Sequence, residues 1–109
     1  MPRNLFVADE VVLCTYIAMH GRGEISENEV RRITNRSMAS VRMKVQNIAA
    51  MLREEGYKCS PQISSLAGLP AGMKGRRTNW DVVRALPLKD KTGFLSLCRE
   101  VIEKHGRKG

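Results

Sequence analysis

The fold is decided by residues 26–55, which read SENEVRRITNRSMASVRMKVQNIAAMLREE. This stretch opens with a capping box, because Ser26 is followed three positions later by Glu29 and each of these side chains can bond the other's backbone amide. Ile25 and Val30 occupy the two positions of a hydrophobic staple around the same helix start. A helix is therefore predicted to begin at Ser26.

A second and longer helix follows after a turn. The last apolar residue of the first helix is Ile33, and residues 34–37 offer turn and cap side chains in a row. The next helix is predicted over about 37–55, with Gly56 as its stop. Four apolar residues at i, i+4, i+7 and i+11 form a stripe that faces the core: Val41, Val45, Ile48 and Leu52. A brief helix, a turn of about four residues and a longer helix are the layout of a helix-turn-helix.

The rest of the chain supplies further helices and an irregular arm. Apolar residues crowd the stretch 5–20, which predicts a buried first helix, with a strand as the competing interpretation. Residues 56–87 hold three of the four prolines and predict an irregular arm or wing that a short helix near Trp80 tethers to the core. A last helix is predicted over 90–105, packed on the first. The expected fold is a single domain over 1–109, mainly α: a small helical bundle with a winged-helix-like helix-turn-helix, about four to five helices and a basic Gly/Pro-rich arm.

Composition restricts the class of partner. The 109 residues include 19 Lys and Arg against 11 Asp and Glu, which gives a formal net charge of +8 and a pI near 9.9. A domain with this charge attracts polyanions, so nucleic acid is the leading partner. No apolar run approaches the ~20 residues of a membrane span and no signal peptide opens the chain, so a cytoplasmic protein is expected.

The cysteines and histidines do not suggest a metal or cofactor site. Cys14, Cys59 and Cys98 are odd in number and widely spaced, which fits neither a disulfide framework nor a zinc site. His20 and His105 stand in no metal-binding spacing with them or with each other. Cys14 and Cys98 are expected to pack in the core, and the chain is expected to bind no metal and no cofactor.

The outward side of the longer helix carries the candidate DNA-binding residues. A protein distinguishes one DNA sequence from another through side chains that reach base edges in the major groove, and this groove admits one α-helix. In steps of 100° per residue, the side opposite Val41 carries Arg36, Ala39, Met43, Gln46 and Ala50, and its flanks carry Ser40, Arg42, Lys44 and Asn47. The N-terminal residues of such a helix reach deepest into the groove, which favours residues 36–43 as the readers.

Charge placement supports this interpretation. Between Val30 and Arg53 there is no acidic residue and there are six basic ones: Arg31, Arg32, Arg36, Arg42, Lys44 and Arg53. An ordinary solvated surface would mix the two signs, although such a surface remains the alternative.

A second basic feature is the run GMKGRR at residues 72–77. Its side chains Lys74, Arg76 and Arg77 suit contact with phosphates or with an adjacent minor groove. A surface loop with incidental charge is the competing interpretation, because glycine among basic residues is first of all a loop signature.

Part of this pattern resembles the N-terminal DNA-binding module of certain HNH-type restriction endonucleases. The resemblance spans residues 36–80 and rests on NRS at 35–37, SVRMK at 40–44 and NIAA at 47–50, with Gly68, Leu69 and Trp80 downstream. It implies a winged-helix-like module that precedes a separate nuclease domain, with Arg36, Ser37, Ser40 and Lys44 facing DNA. This sequence contains no His-Asn-His nuclease segment, so the resemblance implies binding and not cutting.

The sequence thus predicts a sequence-specific binder of double-stranded DNA that is not an enzyme. It leaves open the recognition domain of a nuclease, a replication initiator or a small transcription regulator, either as a homodimer or fused to a catalytic domain. An RNA-binding domain and a protein-interaction module of phage or plasmid origin are the alternatives. Single-strand readers usually offer exposed aromatic side chains, and this chain has only five aromatic residues.

Overall fold

The computed structural model describes residues 8–64 and 80–106, which are mainly helical. The five helices are α1 (Ala8–His20), α2 (Glu27–Thr34), α3 (Met38–Glu54), α4 (Trp80–Arg84) and α5 (Lys91–Gly106). The predicted small helical bundle is therefore confirmed, including the short helix at Trp80. These two ranges contain no strand, and the central part of the predicted wing, residues 65–79, lies outside them. No helix in them has the length and apolar character that crossing a membrane requires.

Helix α1 is the centre of the bundle, since it contacts each of the other four helices. All of its residues from 10 to 18 are buried, which explains why the apolar pattern here has no polar face. The ring of Tyr16 packs edge-on against Phe94 of α5, with ring centres 5.2 Å apart. The predicted packing of the last helix on the first is confirmed, and Cys14 and Cys98 lie fully buried in this core, as expected.

The start of α2 follows the prediction closely. The backbone N–H of Ser26 donates to Glu29 Oε1 at 3.0 Å, and the Ser26 hydroxyl donates to the same oxygen at 2.8 Å. Ile25 and Val30, the two staple residues, are 2% and 0% exposed. The capping box and the staple thus fix where the chain enters the helix-turn-helix.

The turn between α2 and α3 is three residues long and is closed by two caps. Asn35 has a φ of +63°, in the left-handed region that asparagine tolerates better than most residues, and its N–H donates to the carbonyl of Arg31 at 2.8 Å. Ser37 caps α3, and its hydroxyl accepts a hydrogen bond from the N–H of Ser40 at 3.1 Å. These local bonds set the angle at which α3 leaves α2.

Helix α3 lies within one residue of its predicted bounds. Its four stripe residues are at most 1% exposed. The helix ends at Glu54, the C-cap residue Glu55 is followed by Gly56 with a φ of +89°, and the N–H of Tyr57 donates to the carbonyl of Leu52 at 2.9 Å. Glycine is suited to this position because it adopts positive φ without steric cost.

The chain after α3 folds back onto the bundle. The N–H of Ser60 donates to the carbonyl of Ala18 at 3.0 Å, and the side chain of Ile63 is buried. Arg53 stabilises this folded-back segment, because its Nη2 donates to the carbonyls of Ser60 and Ile63 at 3.1 and 2.6 Å. One of the six basic residues in the acid-free stretch therefore serves the fold.

Candidate nucleic-acid interface

The N-terminal half of α3 presents an open outward side. Ala39, Arg42 and Met43 are exposed there, Ser40 and Gln46 are partly exposed, and the cap residue Ser37 is exposed beside them. These are six of the predicted DNA-binding residues, and the structure brings them together on one side of the helix. Met43 is 56% exposed and is the one large hydrophobic residue in 8–64 and 80–106 with that degree of exposure.

The open side ends near the middle of α3. Ala50, which the helical wheel placed outward, is only 8% exposed, so that part of the prediction is wrong. The amide oxygen of Asn47 is also buried. A wheel gives direction about the helix axis, but it does not say which turns other parts of the chain cover. The accessible part of α3 is therefore its first three turns, the part that helix-turn-helix proteins insert deepest.

Arg36 was expected to face outward, and the structure places it inside. Its Nε donates to Glu10 Oε2 at 3.1 Å and its Nη2 to Glu10 Oε1 at 3.2 Å. The two side chains are 13% and 8% exposed. Arg36 precedes the helix cap, so the turn and not the periodicity of α3 sets its direction. It forms an internal ion pair and is removed from the candidate contact residues.

Lys44 was also expected at the surface, and it is 7% exposed. It follows Val41 by three positions and so lies on the side of α3 that faces α1, where its charge acts on Cys14 and Glu10. Burial lowers the pKa of Lys44 below its ordinary value. Its long aliphatic stem suits this position. The expectation that Lys44 faces DNA, from the wheel and from the resemblance, is therefore wrong.

Acidic side chains of α2 are also engaged in local pairs. Glu27 is 3% exposed, and its Oε1 accepts a hydrogen bond from Nε of Arg22 at 2.7 Å. Glu29 accepts two hydrogen bonds within the capping box, as described above. Together with the engagement of Glu10 by Arg36, these contacts give each of the three carboxylates a hydrogen-bond partner within the fold.

Three arginines of the acid-free stretch have exposed side chains: Arg31, Arg32 and Arg42. Arg31 and Arg32 stand in the last turn of α2, next to the turn that leads into α3. Both belong to the acid-free stretch, but neither is among the residues predicted to bind DNA. Their position at the end of the first helix was the available signal, because that helix crosses the DNA backbone in helix-turn-helix complexes.

We call the resulting surface the basic face, defined by Arg31, Arg32, Ser37, Ala39, Ser40, Arg42, Met43 and Gln46. It adjoins a polar concavity of about 390 Å³ at the turn, lined by Thr34, Asn35, Arg36, Ser37 and Ser40. The basic face carries arginine, hydroxyl and amide side chains, with Met43 as its one large apolar residue. Such a surface can bind phosphate oxygens and can donate or accept hydrogen bonds at base edges.

Other predicted residues lie elsewhere. Lys74, Arg76 and Arg77 of the basic run, with Gly68 and Leu69 of the resemblance, are outside the described residues. His105 pairs with Asp9 across α5 and α1, with Nε2 to Oδ2 at 2.9 Å.

His20 ends α1 and lies beside the ring of Tyr16, with ring centres 4.6 Å apart. Within residues 8–64 and 80–106, no three histidine, cysteine or acidic side chains gather in a way that could hold a metal ion. Both histidines therefore have visible contacts that belong to the fold.

Comparison of the chain with protein-family models, with curated proteins and with solved structures found no match. The resemblance to HNH-associated modules stays a prediction, and the function has to be argued from the geometry of the chain itself.

Proposed function

We propose that this protein binds duplex DNA in a sequence-dependent manner through the basic face, with the first half of α3 in the major groove. The observation that carries the proposal is the composition of that face: within a stretch, 30–53, that has no acidic residue, one exposed arginine lies on the open side of α3 and two lie in the last turn of α2. The proposal is for binding and includes no catalytic step.

The fold supplies the geometry that such binding needs. The major groove is about 12 Å wide and admits one α-helix. Helix α3 is open toward solvent over its first turns, and α2 contacts it, with the basic last turn of α2 next to the connecting turn. In helix-turn-helix complexes the second helix enters the groove while the first lies across the backbone. The layout of α2 and α3 is consistent with this arrangement.

The side chains divide into two proposed roles. Arg31 and Arg32, at the end of α2, are proposed to contact phosphates, as is the cap hydroxyl of Ser37. Arg42 and Gln46 lie on the open side of α3 and carry the guanidinium and amide groups that pair with guanine and adenine edges. Phosphate contacts position a protein on the duplex and base contacts give specificity. The run with Lys74, Arg76 and Arg77 is proposed to add further phosphate contacts.

The direct test is selection of bound duplexes from a random pool, followed by fluorescence anisotropy on the selected duplex and on a scrambled duplex of equal length. The proposal predicts a preferred sequence and tighter binding to the selected duplex. A homodimer would select two half-sites about one helical turn apart, and a single half-site would indicate a monomeric module. Equal affinity for both duplexes at every salt concentration would contradict sequence-dependent binding.

A matched pair of variants tests the surface. Arg42→Ala and Arg99→Ala each remove one exposed arginine, the first from the basic face and the second from α5. Arg42→Ala is expected to weaken binding. If Arg42 contacts a base, the variant should relax specificity at one position. If Arg42 neutralises a phosphate instead, the variant should reduce the slope of log K against log salt by about 1. Arg99→Ala is expected to change neither property. Equal effects of the two variants would show that net charge and not this face governs binding.

A further inference from the structure

Met43, an exposed methionine, belongs to the basic face. At 56% exposure, Met43 is the single large hydrophobic residue left open to solvent in the described chain. A single exposed apolar side chain is ordinary on a protein surface, so exposure alone does not indicate a binding site. The surroundings of Met43 do indicate a binding site, because the residues beside it on α3 are those proposed to contact DNA.

The neighbours of Met43 define a small apolar spot inside a polar surface. Ala39 lies one turn earlier on the same side of α3, and it is exposed as well. Arg42 and Gln46 flank the pair. The small side chain of Ala39 lets a partner approach the helix closely, and the unbranched Met43 side chain adapts to irregular apolar contacts.

The occupant that fits such a spot is itself small. A stable protein interface buries about 800 Å² on each partner around an apolar core, and one methionine with one alanine cannot supply that core. The surrounding arginines favour a polyanion. The major groove of duplex DNA combines both properties, because the 5-methyl group of thymine is an apolar group among hydrogen-bonding edges, between two rows of phosphates.

We infer that Met43, packed beside Ala39, reads the 5-methyl group of a thymine at one fixed position of the bound site. This inference rests on the proposed function and adds a specificity-determining contact to it. It predicts that the selected duplex contains a thymine whose methyl group, and not only its hydrogen-bonding edge, contributes to binding.

Thymine-to-uracil replacement tests the inference, because it removes the methyl group and leaves the base pair intact. Each thymine of the selected duplex is replaced in turn, and the dissociation constant is measured by anisotropy at one salt concentration. One position is expected to weaken binding by roughly fourfold, the factor for burying one methyl-sized group. Replacement at the other positions is expected to have little effect.

Variants of Met43 complete a cycle with the same duplexes. Met43→Ala is expected to lose the preference for thymine over uracil at that position, so that the uracil replacement weakens binding of this variant no further. Met43→Leu, which keeps an apolar side chain of similar volume, is expected to retain the preference. Arg99→Ala serves as the control and is expected to discriminate as the parent protein does.

The outcomes separate this inference from the proposed function. If the protein selects a duplex but no uracil replacement weakens binding, or if Met43→Ala still distinguishes thymine from uracil, the methyl contact is excluded while DNA binding stands. If no duplex is bound in preference to another, the proposed function fails and the methyl contact fails with it.

Discussion

The guanidinium of Arg36 and the carboxylate of Glu10 form a two-point ion pair that joins the turn of the helix-turn-helix to the central helix of the bundle. Glu10 lies in α1, which contacts all the other helices, and Arg36 lies directly before the cap of α3. The pair is nearly excluded from solvent, with side-chain exposures of 8% and 13%. It therefore anchors the start of α3 to the core.

Breaking this pair is expected to destabilise the protein strongly. Glu10→Gln or Arg36→Met removes one charge of a buried ion pair, which costs about 3 kcal/mol in comparable pairs. The measurement is the free energy of unfolding from urea denaturation. The double variant Glu10→Gln with Arg36→Met is expected to be less destabilised than the sum of the two single variants, since it removes both charges of the pair.

Arg42→Met is the control for that series, because Arg42 is exposed on the same helix. A substitution of this kind usually changes the free energy of unfolding by less than about 0.5 kcal/mol. If Arg36→Met were as mild as Arg42→Met, the ion pair would have no role in fixing the turn.

Lys44 and Arg42 are expected to behave in opposite ways in DNA binding, although they are two positions apart. Lys44→Met removes a buried charge that points toward α1, so the salt dependence of DNA affinity should stay unchanged. Arg42→Ala should alter the salt dependence or the specificity, as argued above. Anisotropy titrations at three or more salt concentrations measure both. A reduced slope for Lys44→Met, with the fold intact by circular dichroism, would place Lys44 at the DNA.

Asp9 is expected to contribute to stability in a pH-dependent manner. Hydrogen bonds from His105 and then Lys104 hold the pKa of its carboxyl below the ordinary value of 3.8. A lowered pKa in the folded state means that this stability is fully present above 3.8 and is lost as pH falls through the folded value. Asp9→Asn should cost about 1 kcal/mol at pH 7, as for partly exposed pairs, and its difference from the parent should shrink below pH 4.

The control for Asp9 is Glu100→Gln, which neutralises an exposed carboxylate of α5. Urea denaturation of the three proteins between pH 7 and about pH 2 gives the comparison, because the loss is expected below the ordinary pKa of 3.8. A difference between Asp9→Asn and the parent that stays constant over this range would show that the carboxylate charge is not the source of the stability.

The three cysteines are expected to react with thiol reagents at different rates. Burial raises the pKa of Cys14 and of Cys98 to about 12, and it also raises the pKa of the half-buried Cys59. Because the thiolate is the reactive form, Cys59 should be labelled first in the folded protein, and Cys14 and Cys98 should react only after the protein unfolds. Cys59→Ser should remove the first phase of absorbance change with a disulfide reagent at pH 8. Persistence of that phase would show that a core thiol is accessible.

Local sequence signals predicted the helices well because their causes are local. The capping box at Ser26, the stop at Gly56 and the apolar stripe of α3 each depend on residues within a few positions of one another, so they can be read directly from the chain. The helix-turn-helix layout and the burial of α1 follow from the same patterns. No pairing with a distant residue was needed to predict them.

The direction of the charged side chains could not be predicted in the same way. Between Val30 and Arg53 the sequence shows six equivalent cations, yet the structure uses three of them internally: Arg36 on Glu10, Arg53 on the carbonyls of Ser60 and Ile63, and Lys44 against α1.

The sequence alone determined the helices, the core stripe and the excess of positive charge, because hydrophobic periodicity and caps act between near neighbours. Only the tertiary structure decided which cations remain at the surface. Whether an arginine is exposed or paired depends on residues that are distant in the sequence. The partner of Arg36 is Glu10, 26 positions away, and it comes within hydrogen-bonding distance only after the helices have packed.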